Sequence, residues 1–332
     1  MKETILSIMV TAYNQEEYIA EALDSILNQI TQYKYEIIIG EDSSTDSTAD
    51  ICKVYALKYP DKIKVIYNKS NLGILGNWDS TLSHCQSKYV AICEGDNYWT
   101  DASKIENQIT FLENHHDCGI VCSNYSRYYQ TSGKREFNCL TNRKFRKQIG
   151  YSDYILDRSS IMSATVIFRN ELYERYINSV PENIRHQWPR TPDTPLFLFM
   201  AHETNIYVMP ESTAEYRLLD VSGCRLGDQD LQNEFIIKGY DIPIYFVSEL
   251  FKCPKLLKRV KIARQNFVLD VAFAKRDKDL LKRTREMYSV GDSRPSLRYL
   301  LYLRALKWGL FYERILKIIN FWRRFRIRVL KL

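Results

Sequence analysis

The sequence predicts an α/β fold with a mostly parallel central sheet, followed by a helical C-terminal region. Short apolar runs alternate with segments of helical periodicity through the first 125 residues, and this alternation is typical of strands joined by crossover helices. From about residue 228 onward the periodicity is helical. Apolar residues make up 45% of the chain and charged residues 26%. That is an ordinary globular composition, so global disorder is not expected.

Each predicted strand is a short apolar run that ends in polar residues. In the first part of the chain we expect strands at residues 5–10, 35–40, 63–67, 89–93 and 119–124. Between the first two, Ile19, Leu23 and Ile26 recur at helical spacing on one face. Residues 126–160 are polar and predict loops and short elements. Further strands are expected at residues 161–168, 207–209 and 214–218, and further helices near 171–177 and 195–201.

Charge divides the chain into a mildly acidic body and a basic tail. Of the 47 Lys and Arg and 40 Asp and Glu, residues 293–332 hold 11 and one, which leaves 36 and 39 for the rest. An acidic body argues against a catalytic domain that binds nucleic acid. The Gly-Asp-Ser-Arg-Pro segment at residues 291–295 predicts a break before the tail. We therefore predict a sheet domain at 1–225, a helical extension at 226–290 and a basic amphipathic helix at 291–332.

The tail interleaves Leu, Ile, Phe and Trp with Lys and Arg, which is typical of a helix that lies on a membrane surface. Each cation near anionic headgroups contributes about 1 kcal/mol. No apolar run of about 18 residues predicts a spanning helix. The alternatives are a helix packed on the body or on a second subunit, and a tail that binds RNA.

The cysteines and the first residues indicate a compartment. The eight cysteines are scattered, and no His or second pair stands at ligand spacing from Cys118 and Cys122, so a zinc site is not expected. The first residues lack the apolar run of a signal peptide. Free thiols fit a cytoplasmic protein. With the basic tail, these features predict a cytoplasmic protein that is peripheral on the inner face of the cell membrane.

Three polar clusters stand where predicted strands end. They are Thr-Ala-Tyr-Asn at 11–14, Glu-Asp-Ser-Ser-Thr-Asp at 41–46 and Glu-Gly-Asp-Asn-Tyr-Trp at 94–99. Any one of them could be turn and cap chemistry. Because ligands of open α/β sheets bind beyond the carboxyl ends of the strands, the three together predict one binding site.

Glu94 and Asp96 give the sharpest signal in these clusters. Two carboxylates separated by one residue at a strand end can face one hard cation. Mg²⁺ and Mn²⁺ bind through one or two carboxylates plus substrate phosphates. Gly95 between them would let the backbone approach a ligand closely. The sequence therefore predicts Mn²⁺ or Mg²⁺ as cofactor, which would neutralise a departing diphosphate.

Together with Asn71-Leu72-Gly73, these motifs resemble the family 2 glycosyltransferases in order and spacing, over residues 5 to about 220. The resemblance implies the GT-A fold, which is a Rossmann-like sheet with flanking helices. It also implies sugar transfer with inversion from a nucleotide sugar, commonly UDP-linked, to a glycan or lipid-linked acceptor. Bacterial members suggest cell-surface polysaccharide synthesis. Residues 1–225 would be the nucleotide-sugar-binding and catalytic domain.

The resemblance assigns roles to particular residues. Thr11 and Tyr13 would line the nucleoside pocket, and Asp42 would accept a hydrogen bond from the base, with Glu41 adjacent. Asp96 would be the main carboxylate for metal and diphosphate, and Glu94 would take the first position of the family's acidic motif. The residues expected to bind the nucleotide sugar are Thr11, Tyr13, Asn14, Glu41, Asp42, Asn71, Gly73, Glu94, Gly95 and Asp96.

The sequence departs from the family pattern at two places. Asn97 stands where many relatives have a second Asp after Asp96, and an amide carries no charge for a metal. Relatives often carry Tyr-Arg-x-His late in the domain, whereas residues 216–219 are Tyr-Arg-Leu-Leu here. Either Arg217 or Arg225 then meets the diphosphate, or the loop is ordered differently.

The catalytic base must come from the acceptor side, since inverting transfer needs a carboxylate to take the proton of the acceptor hydroxyl. Residues 191–198 resemble the segment in which the family places an Asp at the start of a helix, so Asp193 is the candidate. The alternative is that Asp193 only caps the helix that starts at Pro195. Trp99, His186 and Trp188 are the expected acceptor contacts.

Two other functions are alternatives to the enzyme. A non-catalytic nucleotide-sugar-binding protein with the same fold is motivated by Asn97 and by the absent late His. A dinucleotide-binding oxidoreductase is disfavoured because no G-x-G-x-x-G follows the first strand, where Thr-Ala-Tyr-Asn stands instead.

Overall fold

The computed structural model describes residues 3–140, 148–156, 161–187, 191–219, 228–288, 297–308, 314–315 and 317. The chain divides into two compact units. The first comprises Met1–Tyr151 and Ser160–Gly223, and the second comprises Ser152–Ser159 and Cys224–Leu332.

The first unit is built on one mixed sheet. Its strands are β1 (Leu6–Ala12), β2 (Tyr35–Glu41), β3 (Ile63–Tyr67), β4 (Tyr89–Ile92), β5 (Tyr98–Trp99), β6 (Cys118–Tyr129), β7 (Arg135–Glu136), β8 (Gln148–Ile149), β9 (Ile167–Arg169) and β10 (Asn205–Leu218). The helices along the chain up to residue 203 are α1 (Ile19–Leu27), α2 (Thr48–Lys58), α3 (Gly73–Ser83), α4 (Lys104–Asn114), α5 (Tyr151–Leu156), α6 (Asn170–Ser179), α7 (Glu182–Arg185) and α8 (Asp193–Glu203). Of these, α5 belongs to the second unit from Ser152 onward.

The strand order in the sheet is β3-β2-β1-β4-β9-β6-β10-β5, with β7 on β6 and β8 on β10. Strands β1, β2, β3 and β4 pair in parallel, as do β6 and β10. Strand β9 is antiparallel to both β4 and β6. The predicted α/β class with a mostly parallel sheet is confirmed, and β1, β2 and β4 end at the same edge of the sheet.

The core of the first unit lies where helices cover the sheet. Leu6, Ile8 and Val10 of β1 are fully buried, as expected for a central strand of a parallel sheet. They share one cluster with residues of α1 and α4, namely Ile19, Leu23, Ile26, Ile105, Ile109 and Leu112. Burying each such side chain stabilises the fold by about 1.5–3 kcal/mol. The strand ends that carry the polar clusters are therefore held in place by this core.

Two predicted strands differ from the structure. Residues 161–168 form a 3-10 turn, Ser163–Thr165, and then the short β9, because the amides of Thr165 and Val166 bond back to Met162 and Ser163 rather than to a neighbouring strand. The two short strands expected at 207–209 and 214–218 are one strand, β10. Its register against β6 shifts on both sides of Ser212, and such bulges let a strand continue past Pro210.

The second unit is helical in the part that the structure describes. Its helices are α9 (Gln229–Gly239), α10 (Asp241–Tyr245), a π-helical turn (Phe246–Leu250), α11 (Pro254–Ala274), α12 (Lys278–Tyr288) and α13 (Leu297–Trp308). Phe273 of α11, Leu281 of α12 and Tyr302 of α13 share one buried cluster. The hydroxyl of Tyr302 donates to Asp270 at 2.6 Å.

The first part of the predicted basic tail therefore packs on helices. Tyr299, Tyr302 and Ala305 are at most 5% exposed, whereas Leu301 is 52% exposed. Residues 309–313, 316 and 318–332, which include Trp322 and the last five cations, lie outside the described residues. None of the helices within the described ranges is long and apolar enough to cross a membrane.

Candidate active site

The carboxyl ends of β1, β2 and β4 lie side by side, and backbone hydrogen bonds join the loops that follow them. The amide of Asp42 donates to the carbonyl of Ala12 at 3.0 Å, and the amide of Gly95 donates to the carbonyl of Thr11 at 3.0 Å. The three polar clusters are thus brought to one edge of the sheet, which is where ligands of open α/β sheets bind.

Asn14 joins the first loop to the second, and Glu41 holds the shape of the second loop. The side-chain oxygen of Asn14 accepts a hydrogen bond from the amide of Thr45 at 2.8 Å. Glu41 is 2% exposed, and its carboxylate accepts from the amides of Ser43 at 3.2 Å and Ser44 at 2.9 Å. Both side chains therefore shape the loops from within. Tyr13 beside them is 42% exposed and offers an open ring.

Asp42 anchors the start of α3. It is 2% exposed and accepts from the amides of Leu72 at 2.8 Å and Gly73 at 3.0 Å. Asn68 donates to the same carboxylate at 2.8 Å. Gly73 has a φ of 74°, a left-handed conformation that favours glycine, and its amide also bonds to the side chain of Asn71 at 2.8 Å. The structure thus brings Asn71 and Gly73 close to Asp42.

Asn97 holds the two carboxylates of the acidic loop. Its side-chain nitrogen donates to Glu94 Oε2 and to Asp96 Oδ1, at 3.2 Å in each case. Its side-chain oxygen accepts from the backbone amide of Arg217 at 3.0 Å. This pattern fixes the orientation of the amide, since only the nitrogen can donate to carboxylates. Asn97, which is 3% exposed, therefore orients Glu94 and Asp96 and directs its own oxygen away from them.

Gly95 lies against β1 and α1. A Cβ atom at this position would be 2.5 Å from Gln15 Oε1, 2.9 Å from Ile19 Cδ1 and 3.0 Å from the carbonyl oxygen of Thr11. The sequence predicts that Gly95 lets a ligand approach the backbone. In the structure, the space beside Gly95 is instead filled by atoms of β1, of α1 and of the loop between them. The acidic loop can pack this closely against β1 and α1 only with glycine at position 95.

The carboxyl group of Asp96 is buried beside a second carboxylate, that of Glu94. Burial, together with the nearby charge of Glu94, raises the pKa of Asp96 to about 7, although a backbone hydrogen bond and the charge of Arg217 act in the opposite direction. A carboxylate with a raised pKa beside a second carboxylate favours a bound cation, which removes the repulsion.

Arg217 supports this loop from within the protein. It is 7% exposed, and its Nε donates to the carbonyl of Asp96 at 3.0 Å. Nη1 donates to Gln130 at 2.8 Å and Nη2 pairs with Glu21. Three of its nitrogens are thus used inside the protein, so the structure gives Arg217 a role in holding Asp96. The other candidate for the diphosphate, Arg225, lies outside the described residues.

Glu94 and Asp96 are the residues that could hold a divalent cation. Within the described ranges, no group of three or more His, Cys, Asp or Glu side chains could do so. Two carboxylates that meet at one amide nitrogen suit Mg²⁺ or Mn²⁺, because these ions take their other ligands from water and substrate phosphates. The donor set fits the predicted cofactor.

Asp193 is the first residue of α8. Its Oδ2 accepts from the hydroxyl of Ser163 at 2.8 Å, and Oδ1 lies 3.4 Å from the hydroxyl of Thr194. Residue 164 is linked to the acidic loop, because the carbonyl of Ala164 accepts from the indole of Trp99 at 2.8 Å. Asp193 and Asp96 are therefore connected by two hydrogen bonds and a few residues of chain. These contacts differ from the capping alternative, since the partners of the carboxylate are hydroxyl groups and not helix amides.

The three expected acceptor contacts fall in different places. Trp99 is 4% exposed and belongs to the core, so its ring presents no face to a sugar. His186 follows α7, is 40% exposed, and its Nε2 lies 2.8 Å from Asp79 of α3. Trp188 lies outside the described residues.

Sequence reasoning missed Ser163 and the structural role of Asn97. Ser163 stood inside a run that predicted a strand, and no local pattern shows that its hydroxyl meets Asp193. In the sequence, Asn97 shows only as a departure from the acidic motif of the family. A buried asparagine beside two carboxylates and a distant backbone amide is visible only in three dimensions.

The sequence matches the model of Glycosyl transferase family 2 over residues 7–188. The chain belongs to this family. An uncharacterized protein of Mycobacterium tuberculosis is 34% identical over 217 residues, which are 64% of this chain and 58% of the relative. The Escherichia coli UDP-Glc:alpha-D-GlcNAc-diphosphoundecaprenol beta-1,3-glucosyltransferase WfaP is 31% identical over 201 residues, 57% of this chain and 76% of the relative. The chain thus spans less than two thirds of the mycobacterial relative.

Two solved structures share the fold. The structure of S. aureus TarS 1-349 in complex with UDP has a TM-score of 0.55 at 17% identity and covers 93% of each chain. The mannosyltransferase PcManGT from Pyrobaculum calidifontis, in complex with GDP-Man and Mn²⁺, has a TM-score of 0.54 at 16% identity and covers 98% of this chain and 84% of its own. The expected family and GT-A fold are confirmed.

Proposed function

We propose that this family 2 glycosyltransferase moves a sugar from a UDP-sugar to a glycan or lipid-linked acceptor in cell-surface polysaccharide synthesis, with inversion at the anomeric carbon. One observation carries the proposal. The acidic pair Glu94 and Asp96 and the separate carboxylate of Asp193 are tied to one another through Trp99 and residues 163–164. Inverting transfer needs these two functions, one at the leaving group and one at the acceptor.

The nucleoside would bind between Tyr13 and the start of α3. Tyr13, Leu72 and Ile74 are 42–48% exposed, and apolar surface beside one fixed polar group is typical of a small-molecule site. Asp42 has three donors, and a carboxylate has about four acceptor positions. One position therefore remains for an N–H of a uracil base. The UDP complex of TarS and the UDP-glucose of WfaP support this choice, whereas PcManGT was solved with GDP-Man.

Glu94 and Asp96 would hold the cation and Asp193 would act as base. The cation, when bound, supplies positive charge that stabilises the departing diphosphate. The acceptor oxygen forms the new bond to the anomeric carbon while the bond from that carbon to the diphosphate breaks, and the nucleoside diphosphate leaves with the electron pair. Asp193 takes the proton of the acceptor hydroxyl. Asn97 and Arg217 keep the acidic loop in place throughout.

The test separates donor binding from transfer. Because a donor that binds only the native state raises its stability, we expect UDP-glucose or UDP-GlcNAc to raise the melting temperature more with Mn²⁺ than without, and GDP-mannose to have less effect. Asp193→Asn should keep this response and lose transfer, whereas the control Asp61→Asn, at an exposed loop position, should keep both. Transfer by Asp193→Asn would eliminate Asp193 as the base. Donor binding without any turnover would favour a non-catalytic sugar-nucleotide binder instead.

We also propose that residues 1–225 form the catalytic domain and that residues 291–332, whose helix α13 packs on the helical extension at 226–290, bring the chain to the inner face of the cell membrane. The exposed Leu301 of α13 and the basic residues of the tail support it, as does the lipid-linked acceptor in the name of WfaP. The chain should sediment with vesicles that contain anionic lipid and not with neutral vesicles. Replacing Arg323, Arg324 and Arg326 by Glu should abolish this. Equal binding to both vesicle types would contradict the proposal.

A further inference from the structure

We propose that Ser163 is a positioning residue for the catalytic base, and that the 3-10 turn Ser163–Thr165 holds Asp193 at a set place relative to the acidic loop. The inference rests on the proposed function, in which Asp193 takes the proton of the acceptor.

The contact between the two side chains is direct and partly buried. Ser163 is 4% exposed, and its hydroxyl donates to Asp193 Oδ2 at 2.8 Å. The other carboxylate oxygen, Oδ1, has a longer contact of 3.4 Å to the hydroxyl of Thr194. With Oδ2 occupied by a strong partner, Oδ1 is the oxygen available to an acceptor hydroxyl. Ser163 thereby selects which oxygen of the carboxylate faces the substrate.

The turn that carries Ser163 is itself fixed at each carbonyl. The carbonyl of Ser163 accepts from the amide of Val166 at 3.0 Å. The carbonyl of Ala164 accepts from the indole of Trp99 at 2.8 Å, and that of Thr165 accepts from the side chain of Gln108 at 2.9 Å. Ala164 and Thr165 are fully buried, so these bonds are shielded from competition by water.

Trp99 and Gln108 also connect the turn to the donor side. Trp99 stands three residues after Asp96, and its backbone amide bonds to Ser25 of α1 at 3.0 Å. The amine of Lys104 donates to Gln108 at 2.5 Å and lies 4.6 Å from the centre of the Trp99 ring. The buried amine of Lys104 thus contacts both Trp99 and Gln108, the two side chains that donate hydrogen bonds to the turn. The separation between the acidic loop and the base is set by this packing.

The separation between the acidic loop and Asp193 matters because the acceptor attacks in line with the departing diphosphate. The base must reach the acceptor on the face opposite the leaving diphosphate, and a misplacement of about 1 Å costs about a hundredfold in rate. The donor site at the ends of β1, β2 and β4 does not include Ser163. Loss of its hydroxyl should therefore lower the rate of the chemical step and leave donor affinity intact.

The experiment compares Ser163→Ala, Ser163→Thr and the control Ser83→Ala, whose serine is exposed on α3. Release of UDP from UDP-glucose with Mn²⁺, where water stands in as acceptor, gives kcat and KM, and calorimetry gives the Kd of UDP-glucose. Ser163→Ala should lower kcat by about tenfold or more and leave Kd within about twofold. Ser163→Thr, which keeps the hydroxyl, should restore most of kcat. Trp99→Phe, which removes the bond to Ala164, should also lower kcat with Kd unchanged.

The outcomes separate this inference from the proposed function. If the wild-type chain releases no UDP, the proposed function fails and the positioning role fails with it. If UDP release is lost in Asp193→Asn and unchanged in Ser163→Ala, only the positioning role is overturned. A Ser163→Ala variant that loses stability and donor affinity together, with no rescue by Thr, would show a purely structural serine and also overturn it.

Discussion

The buried Lys104 yields the sharpest stability prediction. It is the first residue of α4 and is fully buried. Its amine contacts the amide oxygen of Gln108 at 2.5 Å and the Trp99 ring at 4.6 Å, and neither group carries a charge. Burial therefore lowers the pKa of Lys104 to about 7. The substitution to examine is Lys104→Met, which keeps most of the length of the side chain and removes the charge.

The direction of the effect follows from proton linkage. A lysine in the unfolded chain has a pKa of about 10.4. Between pH 7 and that value the unfolded state binds a proton that the folded state releases, so stability rises with pH in this window. Below pH 7 the lysine is charged in both states, and the full cost of burial remains. From pH 7 to pH 9.5 the gain is about 2.5 pH units at about 1.4 kcal/mol each, or about 3 kcal/mol.

Urea unfolding at pH 6 and pH 9.5 measures this. Other titrating groups are common to both proteins, so we expect the stability of the wild type minus that of Lys104→Met to increase by about 3 kcal/mol between the two pH values. At pH 6 the variant should be the more stable protein, although it leaves Gln108 without a donor at a cost of about 1–3 kcal/mol. Lys53→Met, at an exposed position of α2, is the control. A difference that is constant with pH would refute the reasoning.

Three further predictions concern the acidic loop. Asn97→Asp places a third carboxylate against Glu94 and Asp96, so the ligand-free protein should lose about 1–3 kcal/mol of stability and show a larger rise in melting temperature on adding Mn²⁺. Because the pKa of Asp96 is raised to about 7, this carboxyl group is mostly protonated at pH 6 and mostly ionised at pH 8, and the affinity for Mn²⁺ measured by calorimetry should increase between these pH values. Gly95→Ala drives a methyl group to 2.5 Å from Gln15 and 3.0 Å from a backbone oxygen, so it should lower stability by about 1–3 kcal/mol and weaken UDP-glucose binding.

Each of these three predictions would be contradicted by one outcome. An Asn97→Asp protein as stable as wild type would show that the amide does not hold the two carboxylates. An affinity for Mn²⁺ that is flat between pH 6 and pH 8 would show that Asp96 is not the titrating ligand. A fully stable Gly95→Ala protein would show that the acidic loop can move away from β1 without cost.

Local patterns in the sequence were sufficient for the fold and for the ends of the strands. The run at 63–67 predicts β3 residue for residue, because Ile63, Val65 and Ile66 favour extended backbone and the polar residues from Asn68 onward end the run. The motifs at 11–14, 41–46 and 94–99 follow three such strands, and parallel pairing brings their ends to one edge. The family was therefore predictable from the sequence alone.

The tertiary structure decided what each polar side chain does at that edge. The oxygen of Asn97 meets the amide of Arg217, 120 positions away along the chain, and the indole of Trp99 meets Ala164 across 65 positions. Ser163 meets Asp193 only because residues 163–165 turn before β9 enters the sheet between β4 and β6. Periodicity and motifs report the preferences of neighbouring residues. Hydrogen bonds between distant segments depend on how strands pair and helices pack, so they emerge only in the folded chain.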